Sequence, residues 1–467
     1  MIGSGIFIVS AGIGRQVGSP GLLLTVWALT GLITIMGALT QGELAAMYTG
    51  SGGQYVYLRE GLGPLWGFLY GWTLFMVIQT GTIAAVAVAF ARFTGVLFPG
   101  VTPDVFLRLG SFRSPGEALF ALFGHAPATT SMIEIGVSWQ RVLGIATVLL
   151  LTWINVQGVR MGAWIQTVLT AAKVLALGGL IVLGLTIGRQ AEAAAQNFGH
   201  LWEPQGLTLA VLPVLGAAMV GSLFSSSAWN NVTFAAAEVE DPQRNLPLAL
   251  FAGTLAVSLI YVLTNVAYLN MMTVEDLMHA PQDRVGTAAA QVIFGSAGGA
   301  LMAGAIMVST FGCNNGLILS GARVYYAMAK DGLFFRSVGV IDPARGTPRV
   351  ALWAQALWTG VLALSGSYSD LLNYVIFAGL LFFFLAAVAL FRLRRLKPDA
   401  ERPYRAFGYP WMQIAYCMLT GAIMVDLLIK SPQYTWPGLI IVLFGVPVYF
   451  VWRRFGAVSA AAMPAAR

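Results

Sequence analysis

Runs of apolar residues long enough to cross a lipid bilayer recur from one end of this sequence to the other. LLLTVWALTGLITIMGAL, VLGIATVLLLTWINV and LLNYVIFAGLLFFFLAAVALF are examples, and a helix needs about 20 such residues to span the hydrocarbon core. In lipid each backbone N–H and C=O must be satisfied within the structure, which leaves runs of this length only one form, the α-helix. Only 10% of the 467 residues are charged, against about 25% in a soluble chain. The outside of the fold therefore meets lipid, and an all-α integral membrane protein is expected.

Hydropathy and Gly/Pro punctuation place spans at 1–14, 19–48, 64–98, 139–157, 161–187, 208–236, 247–271, 289–327, 349–366, 370–392, 410–429 and 436–453. That is eleven full spans after a first fragment. With the 49–63 loop in the cytoplasm, seventeen of the 26 basic residues fall on the inner side and eight on the outer. This is the positive-inside asymmetry of a plasma-membrane protein. The net charge of +7 is thus a topology signal, and no nucleic-acid partner is needed. Cys313 and Cys417 lie inside spans, and His125, His200 and His279 are scattered over polar loops. Neither set has metal-ligand spacing, so no metal and no cofactor are expected. A membrane-embedded enzyme would need clustered His, Asp or Glu, and the sequence has no such cluster.

The remaining basic residue is Lys173, in IQTVLTAAKVLALGGLIVLG. It stands about twelve residues from the inner end of its span, or ~18 Å at the helical rise. A charge so near the midplane costs at least ~2.5 kcal/mol, so it needs a partner or a purpose. Two other places break the pattern. MIGSGIFIVS opens with glycines around a serine, and two glycines weaken a helix. GSLFSSSAWNNVTF interrupts the sixth span with Ser225, Ser226, Ser227, Asn230 and Asn231, residues that compete for backbone hydrogen bonds and favour caps over helix interiors. Breaks are expected at 3–5 and 225–228. Interrupted spans at corresponding positions of two halves point to an inverted-repeat transporter with its site at the midplane. Half-helix N-termini suit a carboxylate and freed carbonyls suit an ammonium, so a zwitterionic amino acid fits both.

GSGIF, GELAAMYTGSGGQYVYLREGLGPLWGF, FSSSAWNNVTFAAAEVEDPQRNLP and STFGCNNGLILSGARVYYAMAKDGLFF occur in that order. Together they resemble the amino acid–polyamine–organocation permeases, and within them the L-type amino acid transporters and their bacterial relatives. The resemblance implies a leucine-transporter-like 5+5 inverted repeat. Its repeats would be 1–187 and 208–392, followed by 410–467 with the last two spans and a cytoplasmic tail. It also implies that the family's inner half of the first helix precedes GSGIF, so that this sequence begins in mid-helix. Under it, the Ser4 and Gly5 N–H groups beside Gly3 would take the substrate carboxylate. The carbonyls of Ile2, Phe224, Ser225 and Ser227 would take the amine, with the Phe224 ring as a gate and Asn230 as a further polar contact. Lys173 would replace a bound sodium ion and link the first helix to the eighth span at Ser309 and Thr310.

The implied function is sodium-independent exchange of neutral L-amino acids by alternating access. The alternatives are proton symport of an amino acid or amine, should Lys173 give up its proton, or a degenerate non-transporting relative. The sequence names no partner subunit. Glu43 is expected to be a solvated or helix-packing carboxylate. Pro242 and Pro247 are expected to stop helices, and Arg244 to contact a gate. RLRRLKPDAERPYR reads as an orienting basic loop in contact with anionic lipid. Trp229 reads equally as core or as pocket wall, and the outer loop 99–138 carries no recognised chemistry.

Overall fold

The computed structural model describes residues 1–113, 132–204, 206, 208, 211–365, 368–430 and 432–461. His125 lies outside them. The helices are α1 (Gly5–Val17), α2 (Pro20–Met47), α3 (Gln54–Leu62), α4 (Pro64–Leu97), α5 (Trp139–Val156), α6 (Val159–Leu185), α7 (Ala191–Gly199) and α8 (Leu212–Ser226). A 3-10 segment, Trp229–Glu238, follows. Then come α9 (Pro242–Met271), α10 (Val274–Met278), α11 (Val285–Phe294), α12 (Ser296–Lys330), α13 (Arg349–Ser365), α14 (Tyr368–Leu396), α15 (Trp411–Lys430) and α16 (Pro432–Ala461). Ten helical stretches among the described residues are long and apolar enough to cross a membrane, and the all-α membrane class stands.

Helix starts follow local chemistry. Ser19 caps α2 by accepting from Leu22 N at 3.2 Å with Pro20 in the first turn, and Ser138 caps α5 through Arg141 N, each satisfying an N–H that the helix cannot. Inside the spans, hydroxyls return to carbonyls four residues back, as Thr34 does to Thr30 at 2.8 Å and Thr40 to Met36 at 2.7 Å. That bond lets a threonine sit in an apolar helix at little cost.

Two expectations are corrected. The span expected at 289–327 is two helices, because Gly295 turns the chain at φ 61 between α11 and α12. The one expected at 349–366 is present as α13. Pro247 does not stop a helix: α9 starts at Pro242 and carries Pro247 inside it, near the start, where few intrahelical donors are lost. The outer loop contains a two-stranded antiparallel hairpin, β1 (Leu107–Arg113) with β2 (Met132–Val137), pairing Leu107 with Val137 and Phe112 with Ile133.

The bundle packs α2 along α9, α4 along α12 and α1 along α8. The Thr30 and Ser222 hydroxyls, 2.6 Å apart, tie α2 to α8. α4 is the most enclosed span, with 72% of its central window buried, whereas α6 has 22%. Trp164, Leu175 and Val182 of α6 accordingly present apolar side chains to the surroundings, as a lipid face requires.

On the face bearing the basic loops, Glu43 is wholly buried and not solvated. Its carboxylate accepts from Arg394 Nε at 2.9 Å and Ala406 N at 2.7 Å. Arg402 Nε stands 3.2 Å away as an ion pair. Arg394 also lies 3.7 Å over the Tyr409 ring. Two arginines of the loop expected to face anionic lipid are thus turned inward onto a helix-packing carboxylate. Burial is what demands it: a lone carboxylate there would be prohibitive.

Candidate functional site

The break expected at 225–228 is present, and residues 1–4 ahead of α1 are irregular. α1 begins only at Gly5, with Ser4 as its N-cap and Phe7 N donating to Ser4 O at 3.1 Å. Upstream, the Ile2 carbonyl accepts from Lys173 Nζ at 3.1 Å and the Gly3 carbonyl from Ser309 Oγ at 3.2 Å. Lys173 is 5% exposed. The ammonium is therefore fastened to the irregular segment that opens α1, and a charged donor makes the stronger kind of hydrogen bond.

The second break follows Ser226. Ser227 is extended (ψ 179), Ala228 is left-handed (φ 64) and the chain resumes as the 3-10 segment. A left-handed alanine costs about 1–2 kcal/mol, and the serines offset it. Ser227 donates to the Phe224 carbonyl from both N (3.0 Å) and Oγ (2.6 Å), while Tyr261 of α9 donates to the Ser225 carbonyl at 3.0 Å. The two breaks touch. A Cβ on Gly5 would stand 2.6 Å from Ser225 Cβ and 3.0 Å from its Cα, so this approach admits only glycine.

Gly3, Ser4 and Gly5 line one side of a cavity of about 20 Å³, and Phe224, Ser225 and Ser227 the other. The positive end of α1 and the negative end of α8 meet there. The volume holds roughly one water, so a larger guest requires the walls to part. Thr82, Ser227, Ala228 and Leu317 also border a second cavity of about 60 Å³. Its wall is built of apolar and aromatic side chains with hydroxyls and carboxamides, and carries no ionised group among the described residues.

The structure brings Ile2, Gly3, Ser4, Gly5, Phe224, Ser225, Ser227, Lys173 and Ser309 to one place. Thr310 and Asn230 make other contacts. Thr310 returns its hydroxyl to Ile306 at 2.8 Å in its own helix. Asn230 lies on the larger cavity and donates to Gln54 Oε1 at 2.7 Å. The carbonyls of Ile2 and Ser225 accept one hydrogen bond each, from Lys173 and Tyr261, and have a second lone pair, whereas the Phe224 carbonyl accepts two from Ser227. Trp229 is a wall of the larger cavity, its ring 5.1 Å from Phe383.

Sequence reading missed Gln54 and Gln79. Gln79 Nε2 donates to the Leu317 carbonyl at 2.7 Å. It follows a π-turn, Leu74–Ile78, inside α4, and such turns often mark functional sites. A glutamine inside an apolar span gave the only available signal. Arg323 of α12 grips Glu238, the last residue of the 3-10 segment, with Nε at 2.9 Å and Nη2 at 3.3 Å. Arg244, expected to contact a gate, is exposed at the start of α9.

A polar ring closes the same face. Arg59 pairs with Asp331 and Glu60, Lys397 with Glu60 at 3.0 Å, and Tyr55 donates to Asp331 at 2.7 Å. Burial pushes the Glu60 carboxyl up, but hydrogen bonds from Lys397 and Arg59 outweigh it and hold the group below its ordinary range. The same contact to Glu60, with Tyr48, lifts Lys397.

The profile of the family described as amino acid permease matches residues 1–452. The chain is 31% identical over 461 residues to the large neutral amino acids transporter small subunit 2 of Oryctolagus cuniculus, covering 97% of this chain and 77% of the relative. It is 31% identical to the Asc-type amino acid transporter 1 of Mus musculus over 464 residues, 97% and 79% of the two chains. To the serine/threonine exchanger SteT of Bacillus subtilis (strain 168) it is 29% identical over 456 residues, covering 97% and 94%.

Proposed function

The chain belongs to the amino acid permease family, a multi-pass plasma-membrane transporter of amino acids, and from that premise we propose that it exchanges neutral L-amino acids without sodium. The observation that carries this reading is Lys173 Nζ at 3.1 Å from the Ile2 carbonyl. A tethered ammonium braces the unwound start of α1, the place a bound cation would otherwise fill. The substrate carboxylate sits at the N–H groups of Ser4 and Gly5, and its ammonium at the carbonyls of Phe224, Ser225 and Ser227. The Phe224 ring covers it. The uncharged wall of the larger cavity favours a neutral side chain, since an unpaired charge there would be costly. Exchange finds support in the likeness to a relative named as an exchanger. The pairing of α1 with α8, α2 with α9 and α4 with α12 supports two repeats, 1–187 and 208–392, with 410–467 appended.

The test is uptake of a labelled neutral amino acid into proteoliposomes. Internal unlabelled amino acid should accelerate it, and replacing sodium by choline should leave it unchanged. Uptake that needs sodium, or that follows an imposed pH gradient and ignores internal substrate, would refute the proposal.

A further inference from the structure

Gln54 begins α3, and its side chain is fully buried. Its Oε1 is held by Asn230 Nδ2 at 2.7 Å, whereas its Nε2 meets no acceptor among the described residues. The residue stands on the wall of the larger cavity, which runs on from the small cavity between the breaks. A buried amide donor forfeits the hydrogen bonds it would make in water. Between the break and Gln54 the wall is mainly apolar, with Ile33, Leu223, Ile376 and Phe383. An amino acid anchored by its charged groups at the break would lay its side chain along this wall and end at that amide.

We propose that Gln54 reads the far end of the substrate side chain. Its Nε2 donates to an acceptor there, so long uncharged side chains ending in a carboxamide or sulfoxide oxygen are preferred to apolar ones of the same shape. Asn230 positions the amide by fixing its oxygen. Short side chains stop before reaching it. The inference rests on the proposed exchange function and adds the substrate class.

The test compares L-methionine sulfoxide with L-methionine as competitors of labelled leucine exchange by the full reconstituted chain, with threonine and valine as the short pair. Gln54→Glu keeps an oxygen for Asn230 and replaces the donor by an acceptor; Gln54→Met removes both. Wild type should favour the sulfoxide, and both variants should lower the sulfoxide-to-methionine ratio about 5- to 10-fold, the worth of one hydrogen bond. The threonine-to-valine ratio should stay put. A wild type indifferent between the long pair overturns the proposal, as does a ratio untouched by either variant, which would mean that water satisfies the amide. A parallel fall in both pairs also overturns it, because Gln54 would then only support Asn230. Where a variant transports too slowly, ligand-induced thermal shifts of the purified protein read the same ratios. A wild type that exchanges no amino acid at all defeats the exchange function itself.

Discussion

At the scale of single residues, Lys173 is the most exacting feature of the chain. A midplane charge is tolerated only when it is held, and this one is held by a backbone carbonyl that lies 171 positions away in sequence. Lys173→Met preserves length and burial but removes the cation. Labelled uptake should fall at least ~10-fold, as loss of a charged hydrogen bond implies, with membrane insertion and expression unchanged. Ordinary uptake by that variant would take the lysine out of the mechanism. Lys173 was legible in the sequence because a lone charge in an apolar run needs either a structural partner or a purpose. Gln54 was not, since a glutamine in a polar loop looks like any solvated residue, and its burial depends on Asn230, 176 positions on.

Among elements, the break after Ser226 was readable because three serines in a row satisfy stray carbonyls, and two of their hydroxyls do so here. The division between α11 and α12 was less so: one glycine among several gives no hint which will turn positive. Nor could the pairing of α2 with the end of α14 and the loop after it be read, because Glu43 and Arg394 are 351 positions apart and Glu43 and Ala406 are 363 apart. That pairing predicts an outcome. Glu43→Gln leaves Arg394 and Arg402 facing a neutral amide, and breaking such a buried pair costs about 3–5 kcal/mol. The melting temperature in detergent should drop clearly. An unchanged melt would show that the carboxylate does not hold α2 to that loop.

For the whole molecule, hydropathy alone gave the class, the number of long spans to within one, and their order. It could not give the polar ring on the inner face, where α3, α12 and the end of α14 meet through Arg59, Glu60, Asp331 and Lys397. Because Glu60 titrates below its ordinary range, its contribution is whole above the unfolded value of about 4.3 and fades as pH falls through the lowered folded value. Lys397, lifted by the same contact, contributes fully below about 10.4 and loses its share as pH climbs past its raised value. Both are partly exposed, so their pairing is worth at most about 1 kcal/mol. The difference in melting between wild type and Glu60→Gln should be small at neutral pH and vanish in acid. A difference as large at pH 3 as at pH 7 would contradict the assignment.

The π-turn at Leu74–Ile78 has a mechanical corollary. One surplus residue per turn is a change of phase: every side chain after it points about 100° from where an unbroken helix would aim it. Gln79 and Thr82 owe their bearing to that offset. Chain length across these five positions therefore matters more than their identity: deleting one should close the turn into an ordinary α-turn with Gln79 still on Leu317, whereas adding one should leave a folded protein whose Gln79 has swung about 100° away. Full transport by the lengthened chain would mean the bundle takes no notice of the twist.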